Sequence, residues 1–282
     1  MGWLLALALL PVAAVAQPAL PEADGRMHEG VASCASTVCH GRVNADDESP
    51  VWLNEYRVWL RQDYHSRAYR TLLTDQSRAI AEKLGLPAAH TADICLDCHA
   101  DNVPAERRGA RFQIDDGVGC EACHGGAGDW LESHAESGTS HADNIANGLY
   151  PTDRPLARGA LCLSCHLGTR DKFATHQIMG AGHPRLSFEL ETFSVNQPAH
   201  YSVDDDYIER KRQPDPVAMW LSGLAMNSAT LLDLLASDAY PGNALFPELS
   251  FFQCHACHHG MDDLRWQRDA RAPALAPGSV RH

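Results

Sequence analysis

Basic residues are scarce. The 282-residue chain carries 23 Lys and Arg against 36 Asp and Glu, a formal net charge of −13. That balance excludes a duplex-binding protein, which must set clustered cations against phosphates. Nucleic acid is therefore not an expected partner, whereas a basic or complementary protein surface is. Few segments alternate as strands do. No paired catalytic carboxylates, nucleophile triad or nucleotide-binding loop stands above chance, which leaves the common catalytic constellations unrepresented. Apolar content of 45% and a mean hydropathy of −0.28 describe a soluble globular chain, long enough for one large domain or two ordinary ones.

No charged side chain interrupts Met1 to Ala16, an apolar run short of the about 20 residues that span a bilayer. Ala14-Val15-Ala16 before Gln17 has the small-x-small form of a cleavage site. Residues 1–16 therefore read as a secretory signal peptide, although no Lys or Arg precedes the apolar run. Periplasmic export is expected, with no membrane span after cleavage. The first cysteine is Cys34, too far from the cleavage point for a lipoprotein.

What is abundant is cysteine and histidine, 10 and 16 residues. An exported chain with this many cysteines first suggests disulfides, but the spacing says otherwise. Cys95-Leu96-Asp97-Cys98-His99, Cys120-Glu121-Ala122-Cys123-His124, Cys162-Leu163-Ser164-Cys165-His166 and Cys254-His255-Ala256-Cys257-His258 are C-x-x-C-H motifs. Cys34 and Cys39, followed by His40, form a longer C-x-x-x-x-C-H variant. Every cysteine is in a pair, and every second cysteine is followed by histidine. This is the attachment pattern of c-type haem: two thiols about one helical turn apart form thioethers with the porphyrin vinyls, and the next imidazole ligates iron. Zinc sites need no histidine directly after the second cysteine, and five pairs cannot be shared evenly among Cys₄ sites. Five covalently attached haem c groups are expected, with His40, His99, His124, His166 and His258 as proximal ligands.

The expected fold is mainly α, a loop-rich multihaem cytochrome c fold whose core is built around five covalently bound haems. Residues 17–30 read as a linker, 31–266 as one pentahaem domain and 267–282 as a disordered tail. Ser49-Pro50 is a helix-start signal, and helical spacing runs over 51–60 and 68–84, stopped by Gly85 and Pro87. Residues 91–182 read as short helices and loops, and Asp204-Asp205-Asp206 as a solvated loop. Pro216 to Ser237 carries the clearest helical pattern, with an apolar face for packing against the haem core. The irregular spacing of the proximal histidines excludes a repeat array.

Each iron has one further axial position, and eleven histidines remain to fill them. At Asp63-Tyr64-His65-Ser66-Arg67-Ala68-Tyr69, Gly117-Val118-Gly119-Cys120 and His134-Ala135-Glu136-Ser137-Gly138, the chain resembles the multihaem cytochromes of the cytochrome c-554/c-prime family, over roughly residues 33–183. The resemblance implies that His65 is the distal ligand of the haem on Cys120 and Cys123, and that His134 caps the first haem opposite His40. It also implies an open sixth position on the haem of His99. The chain departs from that pattern in its fifth motif, its longer first motif and His90, which stands five residues before Cys95 and could fill that position or serve a neighbouring haem. His176 and His183 are candidates for the haems of His166 and His258, with His141 and His200 in reserve. Met179, between His176 and His183, reads as a packing residue. His28 and His282, near the termini, read as solvated.

Closely packed, mostly bis-His haems describe an electron carrier, closed to substrate and of low potential for want of methionine ligands. Its expected partners are an electron donor and an acceptor, either other cytochromes or a membrane quinol oxidoreductase. Two alternatives remain: an enzyme with an open haem at His99 acting on a small nitrogen or sulfur compound, and a subunit of a haem-wire assembly. No motif substitutes lysine for the proximal histidine, as pentahaem nitrite reductases do.

Overall fold

The computed structural model describes residues 17–45, 51–237, 248–254 and 257–258. The stretch read as a signal peptide, 1–16, the Ser49-Pro50 start signal, the stretch read as a tail, 267–282, and His255, His259 and His282 lie outside the described residues. Among those described, the chain is mainly helical and holds no β-strand. In chain order the helices are α1 (Val31–Cys34), α2 (Glu55–Gln62), α3 (Ala68–Thr71), α4 (Asp75–Lys83), α5 (Asp93–His99), α6 (Glu121–His124), α7 (His141–Ala146), α8 (Pro155–His166), α9 (His176–Ala181), α10 (Leu190–Asn196), α11 (Asp205–Arg210) and α12 (Pro216–Ala236). Most span only one to three turns. Such helices are marginal alone and depend on caps and tertiary contacts.

The caps are local and specific. Thr74 accepts from Ser77 N at the start of α4, and Thr175 from Ile178 N at the start of α9. Ser140 and Asp143 form a reciprocal capping box on α7. Asp215 accepts from Val217 N and Ala218 N ahead of Pro216, which opens α12. Three sequence expectations are corrected by the same physics. The helix expected over 51–60 begins at Glu55. The helix expected over 68–84 is two, because Thr74 caps a new start rather than continuing α3. Asp204, expected in a solvated loop, accepts from Tyr207 N and starts α11.

Two apolar clusters flank the motifs. Leu72, Ala81, Ala89, Leu96 and Ala100 pack around α4 and α5. Leu163, Leu167, Leu231, Leu234 and Phe251 join α8 to α12. Gly223 lets α12 approach α10, because a Cβ at that position would lie 2.5 Å from Leu190 Cβ. The inner face of α12 is thereby committed to its neighbours, while Val217, Trp220, Leu221, Leu224 and Leu232 are exposed on its outer face. By length and composition alone α12 could cross a membrane. The expectation of plain core packing therefore holds for one face of this helix and fails for the other.

The stretch read as a linker, 17–30, is an integral part of the fold. Pro21 is buried, and His28 N donates to Arg107 O at 2.8 Å. Glu29 N and Gly30 N both donate to the buried Glu121 carboxylate, at 2.7 and 2.6 Å. His28, read as solvated, is fully buried, with Nδ1 2.8 Å from Asp101 Oδ2 and Nε2 3.3 Å from Pro21 O. A buried imidazole needs such partners, and here they tie the segment to the body of the protein.

Candidate functional site: five facing histidine pairs

Each motif folds so that its histidine ends a helix or turn. His99, His124 and His166 are the last residues of α5, α6 and α8. One helical turn separates the paired cysteines, which sets both sulfurs on the side from which the histidine projects. The first motif, with its longer spacing, closes a wider loop in which His40 N donates to Cys34 O at 3.1 Å.

Opposite each of these histidines stands a second one. Ring centroids are 6.1 Å apart for His40 and His134, 6.3 Å for His99 and His183, and 6.1 Å for His124 and His200. They are 6.1 Å apart for His65 and His166 and 6.0 Å for His176 and His258. A metal bonded to one nitrogen of each ring at about 2 Å, with about 1.1 Å from nitrogen to ring centre, needs centroids about 6.2 Å apart. All five pairs meet that spacing. The distance therefore fits an axial ligand pair on iron.

Hydrogen bonding agrees with ligation through the other ring nitrogen. Nδ1 of His40 meets Glu55 Oε2 at 2.9 Å, and Nδ1 of His65 meets Asp63 Oδ1 at 2.8 Å. Nδ1 of His99 lies 3.0 Å from Ala68 O, that of His134 2.6 Å from Leu131 O and that of His183 2.8 Å from Pro184 O. In each case Nε2 is left for a metal, and the Nδ1 bond fixes tautomer and ring orientation. His141, by contrast, spends Nε2 on Asp153 Oδ1 at 3.2 Å and belongs to no pair.

A ligand imidazole must be neutral, and burial favours that form at His99, His124 and His166. Burial lowers His124 to about 3 and His166 to about 4. Burial also lowers His99. Burial alone would raise Asp63, but its bonds from His65 outweigh that and hold it at about 2, so it is ionised. The bond to Asp63 raises His65, and the bond to Glu55 raises His40. The motifs also adjoin one another. The Cys34 and Cys120 thiols are within hydrogen-bond reach, as are those of Cys98 and Cys165. Lys172 Nζ lies 3.5 Å from Cys165 Sγ.

The expected partnerships need several corrections. His65 faces His166 rather than the histidine of the Cys120/Cys123 motif, whose partner is the reserve residue His200. His183 and His176 were expected opposite His166 and His258; His183 faces His99, and His176 faces His258. The position opposite His99, open in the family pattern, is occupied by His183. His90, a candidate for that place, turns its ring to Tyr69 at 6.5 Å instead, because the turn Ala89–Thr91 buries Ala89 in the cluster around Leu96. His200 sits in a loop with no motif around it, and Asp63 and Glu55 were not singled out as site residues. The Asp63-Tyr64-His65 spacing, an aspartate two residues before a histidine, is the one local signal that could have marked Asp63.

His28, Asp101 and Glu121 also cluster, their ligand atoms within 4.8 Å of one another. Both nitrogens of His28 and both oxygens of Glu121 are already engaged, by Asp101, Pro21, Glu29, Gly30 and Ala127. This is a structural knot rather than a second metal centre.

Neither the curated proteins nor the solved structures searched contain a match to this chain. Residues 33–125 match the family described as cytochrome c554 and c-prime. The matched stretch contains the motifs ending in His40, His99 and His124, together with His65. The match supports a c-type cytochrome family, with covalently bound haem and electron transfer as its chemistry.

Proposed function

We propose that this chain is an exported, periplasmic pentahaem c-type cytochrome that relays electrons between redox partner proteins. The observation that carries the reading is the set of five facing histidine pairs, one for each cysteine motif. Cys34 with Cys39, Cys95 with Cys98, Cys120 with Cys123, Cys162 with Cys165 and Cys254 with Cys257 would hold the five porphyrins. The axial pairs would be His40–His134, His99–His183, His124–His200, His166–His65 and His258–His176. When bound, haem c supplies one-electron chemistry at iron.

The protein's own residues do the rest. Ten histidines close both faces of every site, so no position is offered to a substrate, and this disfavours the open-site enzyme. Cys34 lies beside Cys120 and Cys98 beside Cys165, so neighbouring motifs sit close together, as a relay requires. The net charge of −13 favours a basic partner surface and steers its approach over distances set by the Debye length.

Reduced holoprotein mixed with a small basic c-type cytochrome in a stopped-flow instrument tests the relay. Reoxidation should be fast and should slow steeply as salt rises from about 0.01 M to about 0.5 M. Slow transfer that is indifferent to salt would contradict the reading of the surface. An absence of c-type absorption bands in the exported protein would contradict the relay altogether.

A further inference from the structure

The five pairs differ in what their outer ring nitrogens touch. In the pair His99–His183 both Nδ1 atoms donate to neutral oxygen acceptors, Ala68 O and Thr71 Oγ1 for one ring and Pro184 O for the other. His134 likewise donates to backbone carbonyls. Among the described residues, two rings have a carboxylate instead: His40 with Glu55 and His65 with Asp63.

Neither carboxylate is a loose surface group. Asp63 is buried, accepts from both His65 N and His65 Nδ1, and has its second oxygen held by Gln197 Nε2 at 3.1 Å. Glu55 accepts from Leu53 N through Oε1 while Oε2 faces His40. The backbone and Gln197 therefore fix each oxygen where its histidine needs it. A carboxylate acceptor draws the Nδ1 proton outward, leaves the ring richer in electrons and adds a nearby negative charge. Both effects favour ferric over ferrous iron at a ligated site. A carbonyl acceptor supplies only a dipole.

We propose that Glu55 and Asp63 are positioning residues that set the potentials of the His40–His134 and His65–His166 sites below that of the His99–His183 site. The inference rests on the haem reading above. Each centre takes up one electron from the reductant, and Nδ1 keeps its proton throughout, so no proton is exchanged. The chain would then carry a built-in ordering of its centres, with the carbonyl-held His99–His183 site above both.

Two kinds of measurement test this on the complete holoprotein. The first needs no variant and uses the ring planes, which are 13° apart at His40–His134 and 89° apart at His65–His166. Near-parallel and near-perpendicular axial rings give distinguishable low-spin ferric EPR signals. During a dithionite titration, a near-perpendicular signal should disappear before the last near-parallel one. Loss of both near-parallel signals ahead of every near-perpendicular one would overturn the proposal.

The second measurement compares the variants Asp63→Asn and Glu55→Gln with Asp206→Asn. Asp206 is a surface carboxylate whose hydrogen bonds go to Arg210 rather than to a histidine. Each of the first two substitutions should raise one potential by about tenfold in the ferric-to-ferrous ratio, about 59 mV for one electron. The irons should stay six-coordinate and low-spin, and Asp63→Glu should restore part of the shift. Unchanged potentials, or a shift no larger than that of Asp206→Asn, would overturn the proposal. Haem-free wild-type protein would instead defeat the underlying haem reading, a result that absorption spectra separate from unchanged potentials.

Discussion

His183 faces His99 across 6.3 Å, with the two ring planes 87° apart. This relationship bears directly on the choice between carrier and enzyme, because the site of His99 is the one left open in the family pattern. His183 lies just beyond α9, where its Nδ1 is engaged by Pro184 O. A ring held in that way is oriented as a ligand ring would be.

Replacing His183 with Ala should therefore open one site. One iron in five should become high-spin in the oxidised protein and bind cyanide or nitric oxide, while the other four stay low-spin. The check is EPR with and without the added ligand. Five low-spin irons in the variant would show that His183 is not the distal ligand there.

The interplanar angles fall into two groups, and the spectrum should do the same. His40–His134 and His176–His258 are 13° and 31° apart, whereas the other three pairs are 87° to 89° apart. Substituting His134 should remove a near-parallel signal, and substituting His65 or His200 a near-perpendicular one. Loss of the same signal type in the His134 and His65 variants would contradict the pairing.

Gly223 is the tightest point between α12 and α10. Gly223→Ala gains about 1 kcal/mol of helix propensity but forces a methyl against Leu190 Cβ, a clash of the kind that costs about 1–3 kcal/mol. Net destabilisation of about 1 kcal/mol is expected, lowering Tm by about 2–4 °C in a chain of this size. Calorimetry of the holoprotein checks it, and an unchanged or raised Tm would mean that α10 yields at no cost.

His28 gives the stability a pH dependence. Burial pushes it down, but the hydrogen bond and charge of Asp101, with the charges of Glu121 and Asp24, outweigh burial and leave it raised above 6.5. A raised imidazole stabilises the fold fully below the unfolded value of 6.5, and that contribution is lost as pH rises through the folded value. Tm should fall as pH rises from about 6.5, and His28→Gln should flatten that part of the profile. A wild-type profile that is flat or rising over this range would contradict the charged His28–Asp101 knot.

The sequence discloses the cysteines and proximal histidines because thioether chemistry fixes them within five to seven consecutive residues. It discloses the mainly helical class through the helical spacing over 51–60, 68–84 and 216–237, although Thr74, whose cap divides the second stretch, left no mark in that spacing. The distal partners are different. His65 meets His166 and His124 meets His200 only after the chain has folded, and no spacing encodes a contact across that separation. His90 misled because it stands near Cys95 in sequence, yet Ala89 beside it is drawn into the core and the ring follows to Tyr69. The packed segment 17–30 was missed for want of periodicity: its order comes from the Glu121 carboxylate, about ninety residues away, and not from a pattern of its own.

The most direct test of the account is the oxidised, as-purified holoprotein itself: iron and haem content per chain, with EPR recorded before and after adding cyanide. The account predicts five haems per chain, all low-spin and unmoved by cyanide, with two signals from near-parallel and three from near-perpendicular axial rings. Fewer than five haems, or a high-spin signal that disappears when cyanide is added, would contradict it.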